Sequence, residues 1–364
     1  MAGQEGKTKY YILMETLKSA IQSGKIAPGE RLPSENQLAA EYGLSRHTVR
    51  KALNMLASEG YIVTEQGRGT FCSERLLHMK KSHNIAVIIT YITDYIFPRL
   101  IQGMDSVLSA NGYSIILKST GNSRRLEAQA LEDILKKDVD GLIIEPSKSE
   151  LVCRHEQLYR MLEEYEIPYL FIQGIYEQMA DRPHILMDEC RGGYLVTNYL
   201  LELGHRHIAG VFKADDFQGR ERHKGYVQAL REAGIPYDPD MVVWFHTEDR
   251  KSKPAMAVRQ MIHKAMPVDA FVCYNDQIAL SVCQELKSLG LGIPEDVSVT
   301  GYDNSLYARG DLTLTTIDHP QERLGEMAAE LLLEKIRHVP EEQSSVERLI
   351  APQLIIGNSC RSRL

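Results

Sequence analysis

The sequence predicts an α/β protein in two parts: a small N-terminal domain of helices and a hairpin, and a larger body whose largely parallel strands are covered by helices. Three observations carry this expectation. From Ile85 onward, short apolar runs such as IAVIIT, YSIILKS, DGLIIEP, HIAGVFKA and DAFVCYND alternate with segments of helical period. In the first 75 residues apolar positions recur at helical spacing between cap and turn residues. And 364 residues exceed one ordinary domain of about 100–200.

The elements follow in order. Ile12, Leu13, Leu17, Ala20 and Ile21 make one face of a helix over 10–23, stopped by Gly24. A turn-rich stretch with Pro28-Gly29 leads to Ser34, an N-cap whose capping box Gln37 completes. The short helix Glu35–Tyr42 ends at Gly43, and Ser45 caps a third helix with Ala52, Leu53 and Leu56 inward, ended by Gly60. Strands at 61–64 and 70–72 flank the Gly-containing loop Glu65–Gly69. Residues 73–84 carry no period and read as a linker between a domain at 8–72 and a body at 85–364. The body continues as strand and helix to LTTID and a last helix over 321–337, with a strand-like 353–356 in the tail. Two lobes joined by three chain crossings are expected. The first takes 85–186 and the last helix, the second 187–317 and the tail.

Composition excludes several classes. With 43% hydrophobic and 25% charged residues the chain is ordinary globular protein, neither disordered nor coiled coil. Its longest apolar runs, such as Ile85–Ile89, fall far short of the roughly 20 residues of a membrane helix. No basic-then-apolar leader opens it, so a cytoplasmic location is expected. The six cysteines are scattered without a C-x-x-C pair, which favours reduced thiols over a metal site or disulfide framework. Residues 1–81 carry twelve Lys/Arg against eight Asp/Glu, a net +4, while the remainder carries −11. A basic end on an acidic body fits a polyanion-binding module attached to something else.

The third helix offers Ser45, Arg46, His47, Thr48 and Arg50 at its start. A helix preceded by a short helix and tight turn can enter the major groove by that end. There Arg bonds guanine bidentately and Ser or Thr holds phosphate or base. The hairpin tip, Gln66 and Arg68 beside Gly67 and Gly69, suits the minor groove or the phosphates. The same residues also fit a small helical domain with a solvated basic face. In the body, polar residues recur just after strand C-termini, where open sheets hold ligands. They include Glu145, Gln173, Lys213, Asp215, Asp216, Asn275, Asp303 and His319, with Arg222 on a following helix. Acids that accept hydroxyl protons and cations that donate to ring oxygens suit a neutral polyhydroxylated ligand. Tyr91, Tyr95 and Phe97 could cover an apolar sugar face.

No phosphate loop, nucleophile elbow or H-E-x-x-H motif occurs. His205 and His207 lack a third ligand nearby and read as loop histidines. No enzyme, cofactor or metal is expected.

Two resemblances sharpen this. G-x-I-x-P-G-x-x-L-P-S-E, the L-A-x-x-Y-G-L-S-R-x-T-V-R-x-A-L core and G-x-G-T-F resemble the winged helix-turn-helix of the GntR repressor family. The resemblance implies operator contacts from Arg46, Thr48 and Arg50 in the major groove and from Glu35 and Asn36 at the start of the second helix. It also implies a wing tip of Gln66, Gly67 and Gly69 and a leading arm at Lys9, with His47 contributing to sequence choice. LELGHRHIAGV, R-x-x-G-Y, CYND, I-P-E-D-V-S-V-T-G-Y-D-N and LTTI resemble the two-lobed effector domain of lactose/galactose-type repressors, related to type I periplasmic sugar-binding proteins. That implies Arg222, Asn275 and Asp303 as the ligand-contacting trio, with Gln173 where many relatives carry Asp. A head and body so combined, with TYITDYIFPRLIQGMDS, DGLIIEPSKS and FKADDFQG, resemble L-arabinose-responsive regulators of Gram-positive bacteria. Tyr95, Phe97, Glu145, Lys213, Asp216 and His319 join the pocket on that basis. The expectation is a homodimeric repressor that leaves a near-palindromic operator when a small sugar, L-arabinose, binds. A regulator for another pentose, hexose or nucleoside, or a sugar-modifying enzyme with a DNA-binding head, stays open.

Overall fold

The computed structural model describes residues 8–22, 25–27, 29–65, 68–73, 82–93, 96–305, 312–337 and 347–364. They fall into two compact units divided after Ser82.

The first unit holds α1 (Lys9–Gln22), α2 (Glu35–Tyr42), α3 (Arg46–Ser58) and the antiparallel pair β1 (Ile62–Glu65) and β2 (Gly69–Cys72). Ser34 closes its capping box with Gln37, and Gly43 ends α2 in the left-handed conformation at φ 61°, where a side chain would strain. Ser45 accepts from the Thr48 amide and so fixes the start of α3. Leu13, Met14, Leu17, Leu38, Val49, Ala52 and Leu56 are buried together. The connection after α1 adds itself to the wing, with Arg31 bridging Phe71 and the Leu32 amide donating to the Thr70 carbonyl.

The second unit begins with β3 (Asn84–Ile89), α4 (Phe97–Ala110), β4 (Ser114–Ser119), α5 (Arg124–Ile134), β5 (Gly141–Ile144), α6 (Glu156–Glu164), β6 (Tyr169–Ile172) and β7 (His184–Met187). There follow α7 (Glu189–Glu202), β8 (Ile208–Lys213), α8 (Phe217–Glu232), β9 (Val242–Phe245), α9 (Lys253–His263), β10 (Ala270–Cys273), α10 (Asp276–Ser288), β11 (Ser298–Thr300) and β12 (Thr316–Asp318). The chain ends with α11 (Gln321–Ile336), β13 (Glu347–Ile350) and β14 (Gln353–Ile355). One lobe carries a six-stranded parallel sheet in the order β13-β7-β6-β5-β3-β4, the other a four-stranded parallel sheet, β11-β10-β8-β9. The pair β12–β14 is antiparallel. The chain crosses between lobes after β7, between β12 and α11, and between β13 and β14.

One expectation is corrected. The tail does not belong wholly to the second lobe, because β13 joins the edge of the first lobe's sheet beside β7. The segment is short, charged at Glu347 and Arg348, and follows no strand-like alternation, so its sequence gave no signal.

Helix contacts set the sites. A methyl group on Gly193 of α7 would collide with the Arg222 carbonyl of α8, and one on Gly225 with the Cys190 carbonyl of α7. Bare glycines on both helices bring their backbones together and place Glu189 against Arg222.

Candidate functional site

In the first unit the start of α3 presents Arg46, His47 and Arg50 as exposed side chains, with Ser45 exposed and Thr48 half-buried. Residues 46 and 50 are one turn apart on a single face. The Arg50 guanidinium donates to both Glu35 oxygens of α2, at 2.9 and 2.8 Å, and Arg46 stands 3.7 Å from the same carboxylate. The Arg50 hydrogen bond, before any other cause, holds the Glu35 carboxyl below its ordinary range. Glu35 thus clamps both arginines, a pairing across 15 residues of sequence that reading by spacing missed. Asn36 is exposed beside it. The Ser45 and Thr48 hydroxyls lie 2.8 Å apart. At the wing Arg68 pairs with Glu65 at 2.6 Å, and Gly69 has φ 125°. Gln66 and Gly67 lie outside the described residues. Lys9 is not in an extended arm. It is the first residue of α1, whose opening turn closes through the Tyr11 amide on the Thr8 carbonyl.

In the second unit the parallel strands of both lobes end at one cleft. It encloses about 630 Å³, its mouth included, within the range of small-ligand sites. Phe97, Glu145, Gln173, Lys213, Asp216, Arg222, Asn275 and Asp303 all line it. Tyr95 lies outside the described residues. His319 does not line the cleft. It is buried, and burial pushes its imidazole down to about 4, with Glu189 and Arg222 among the charges acting on it. The antiparallel pairing of Asp318 with Gln353 and the Pro320 start of α11 turn this position away from the strand-end row.

Arg222 is buried and held by three hydrogen bonds, and it still lines the cleft. It donates to Glu189 at 2.7 and 3.2 Å and to the Tyr274 carbonyl at 2.6 Å, and it lies 3.5 Å from the centroid of the Tyr302 ring. Burial works against its charge, but Glu189 and then Asp303 outweigh burial and lift its pKa well above the ordinary value. Asp303 sits 3.7 Å away at φ 97°. Its loop is pinned by Asp276, which accepts from the Ser305 amide and the Thr316 hydroxyl, both at 2.7 Å. Asn275 caps α10 through the Ile278 amide.

Lys213 pairs with Asp216 at 2.5 Å, and Asp216 also accepts from the Tyr274 hydroxyl at 3.3 Å. Glu145 accepts from the Thr90 amide at 2.8 Å and hydroxyl at 2.6 Å, both on Oε2. Burial pushes its carboxyl up to about 7. Gln173, buried at φ 63°, keeps its Nε2 without a hydrogen-bond partner. Tyr91, packed 6.1 Å from Phe97 and 4.7 Å from the Arg250 guanidinium, supplies an aromatic wall.

The wall therefore mixes three acids (Glu145, Asp216, Asp303) with three cations (Lys213, Arg222, Arg250). That balance accommodates a neutral ligand rich in hydroxyl groups. Sequence reading missed Thr90, Gln218, Arg250, Tyr274 and Gln277 as lining residues. Tyr274 had a signal, since it precedes Asn275 in CYND, but Arg250 arrives from a loop without pattern.

Across the cleft edge Asn122 of the first lobe donates to Asp216 at 2.9 Å and to the Thr247 hydroxyl at 2.7 Å. It accepts from the Lys148 amide at 2.7 Å. Of the two histidines, His205 is buried between Asp269 and the Arg361 carbonyl, at 3.2 Å from each, and His207 is exposed. No helix among the described residues is long and apolar enough to cross a membrane.

A winged helix-turn-helix unit and a two-lobed body with a strand-end cleft together define a ligand-responsive transcription regulator. Residues 10–72 match the model of bacterial regulatory proteins of the gntR family, and 197–360 that of a periplasmic binding protein-like domain. The chain is 38% identical to the arabinose metabolism transcriptional repressor of Halalkalibacterium halodurans over 97% of its own length and 96% of the relative's. It is 37% identical to that of Geobacillus stearothermophilus over 97% and 98%. Among solved structures it resembles a LacI family regulator from Enterococcus faecalis with bound ribose. The TM-score is 0.65 and the identity 28%, covering 77% of this chain and all of that one. The chain belongs to the family of arabinose metabolism transcriptional repressors. It is a transcriptional repressor and not an enzyme.

Proposed function

We propose that the chain is a cytoplasmic homodimer that binds a near-palindromic operator and leaves it when L-arabinose enters the cleft. Residues 8–72 form the DNA-binding domain, 73–84 the linker and 85–364 the sugar-binding and dimerisation domain. Arg46, Thr48 and Arg50 read the major groove, with Ser45 and His47 beside them. Glu35, Asn36 and Lys9 act near the backbone, and residues 66–69 act at the wing. One short recognition helix contacts few bases, so two copies with two-fold symmetry supply useful affinity.

The observation that carries the reading is the charge-balanced cleft with its aromatic wall. Glu145, Gln173, Lys213, Asp216, Arg222, Asn275 and Asp303 supply donors and acceptors, Phe97 and Tyr91 an apolar face. Identity with the arabinose metabolism repressors supports L-arabinose among sugars. Release requires the sugar to bind the DNA-incompetent form better, typically by about 1–3 kcal/mol.

The test is fluorescence anisotropy of the full chain on its operator, titrated with L-arabinose, D-ribose, D-xylose, D-galactose and nucleosides. Release by L-arabinose at concentrations where the others leave the complex intact is expected. Release by D-ribose instead would reassign the effector.

A further inference from the structure

A second concavity lies at the edge of the first lobe, outside the effector cleft, and encloses about 910 Å³ with its mouth. Arg124 and Arg125 enter it from the start of α5, Lys148 from the loop after β5, and Arg154 from the approach to α6. Glu248 reaches it from the second lobe.

The acids and bases do not cancel there. Glu248 is taken by Lys148 at 2.5 Å, and Lys148 also stands 3.4 Å from Asp215. His155, on the same wall, is taken by Glu127 at 2.8 Å. Arg124 donates to a neutral acceptor, the Val152 carbonyl, at 2.9 Å. Arg125 and Arg154 are exposed and have no carboxylate partner among the described residues. Arg160, Arg182, Arg220, Arg259 and Arg323 each stand beside an acid, and what sets Arg124, Arg125 and Arg154 apart from the other arginines is that they line one concavity together. Three guanidinium groups without counter-charge thus share one concavity, although residues 82–364 carry a net −11. Like charges so gathered repel one another until an anion joins them, and planar guanidinium forks match phosphate oxygens two at a time.

We propose that this concavity binds a small phosphorylated metabolite, held by Arg124, Arg125 and Arg154. Asn122 carries the consequence inward. It lines the same concavity and holds Asp216 of the effector cleft at 2.9 Å, so an occupant bears directly on the effector site. The assignment stands independently of which sugar fills that cleft.

The test is calorimetric titration of the full chain, at constant ionic strength, with fructose 1,6-bisphosphate and with inorganic phosphate. The head is also basic, so three proteins are compared: wild type, Arg50→Ala, and Arg125→Ser combined with Arg154→Ser. Saturable binding by either probe to the first two is expected, with affinity lower by about tenfold or more in the double variant. Circular dichroism confirms that the double variant is folded. No saturable binding to wild type overturns the proposal. So does undiminished binding to the folded double variant, which places the anion elsewhere.

Discussion

The head and the body each contain an arginine gripped by both oxygens of a glutamate, and the two pairs differ in almost everything but chemistry. Arg50 and Glu35 have side chains 59% and 28% exposed, whereas Arg222 and Glu189 are 5% and 3% exposed. An exposed pair contributes little to stability, because water competes for both partners. Its use is orientation, and the fork can be handed to another acceptor. A buried pair is committed: losing one partner leaves a charge with no solvent to receive it. One motif therefore makes an exposed, exchangeable pair in the first unit and a fixed strut in the second.

The largest effect should come from breaking the strut. Glu189→Ala should destabilise the body by about 3–5 kcal/mol, since Arg222 stays buried and uncompensated. Thermal unfolding with probes in each unit would show the head's transition unmoved. A loss under about 1 kcal/mol would mean that Asp303 alone suffices as partner, and the contrast would collapse.

A second test concerns a buried acid without a cation of its own. Glu145 has its folded pKa raised from the ordinary carboxyl range to about 7. The folded chain then holds a proton that the unfolded chain releases, so the relative stability is present at low pH and lost as pH rises through 7. Glu145→Gln should therefore stabilise the body at pH 8, by at most about 3 kcal/mol, and change little at pH 4. Sugar affinity of the wild type should fall as pH drops below 7, as the carboxylate becomes a poorer acceptor. Melts that do not separate at pH 8 would discard the burial argument.

On the exposed side, Arg50→Ala should weaken specific operator binding by about ten- to a hundredfold and leave the head folded. Operator affinity unchanged within a few-fold would refute major-groove contact. The smallest effect should be that of Glu35→Gln. It loosens the clamp without removing a guanidinium, so operator affinity should shift only a few-fold, with slower discrimination between related sites. A loss as large as that of Arg50→Ala would make Glu35 a base contact in its own right.

Most of the architecture was legible in the sequence because caps and strand ends are local signals. Ser34, Gln37, Gly43 and Ser45 mark their helix termini within four residues of the backbone groups they satisfy. Glu145, Gln173, Lys213 and Asn275 stand directly after apolar runs, so topology alone gathers them. What stayed hidden depends on pairing across distance. Glu35 meets Arg50 across a helix–helix contact, Arg250 enters from a patternless loop, and β13 finds β7 with over 150 residues between them. His319 is absent from the cleft lining although it too follows a strand, one that belongs to the separate antiparallel pair β12–β14.

That distant strand has a consequence for how the protein comes into being. The first lobe needs α11 and β13 to cover and complete its sheet, and these leave the ribosome only after the second lobe's four-stranded sheet has been made. During translation the head can fold at once and the second lobe's four-stranded sheet soon after its last strand emerges. The lobe encoded earliest must wait, its apolar strands uncovered, until the last few dozen residues arrive. A message truncated near residue 340 would thus leave the first lobe's sheet without β13, and would also strip β14 and the tail that follows it from the second lobe.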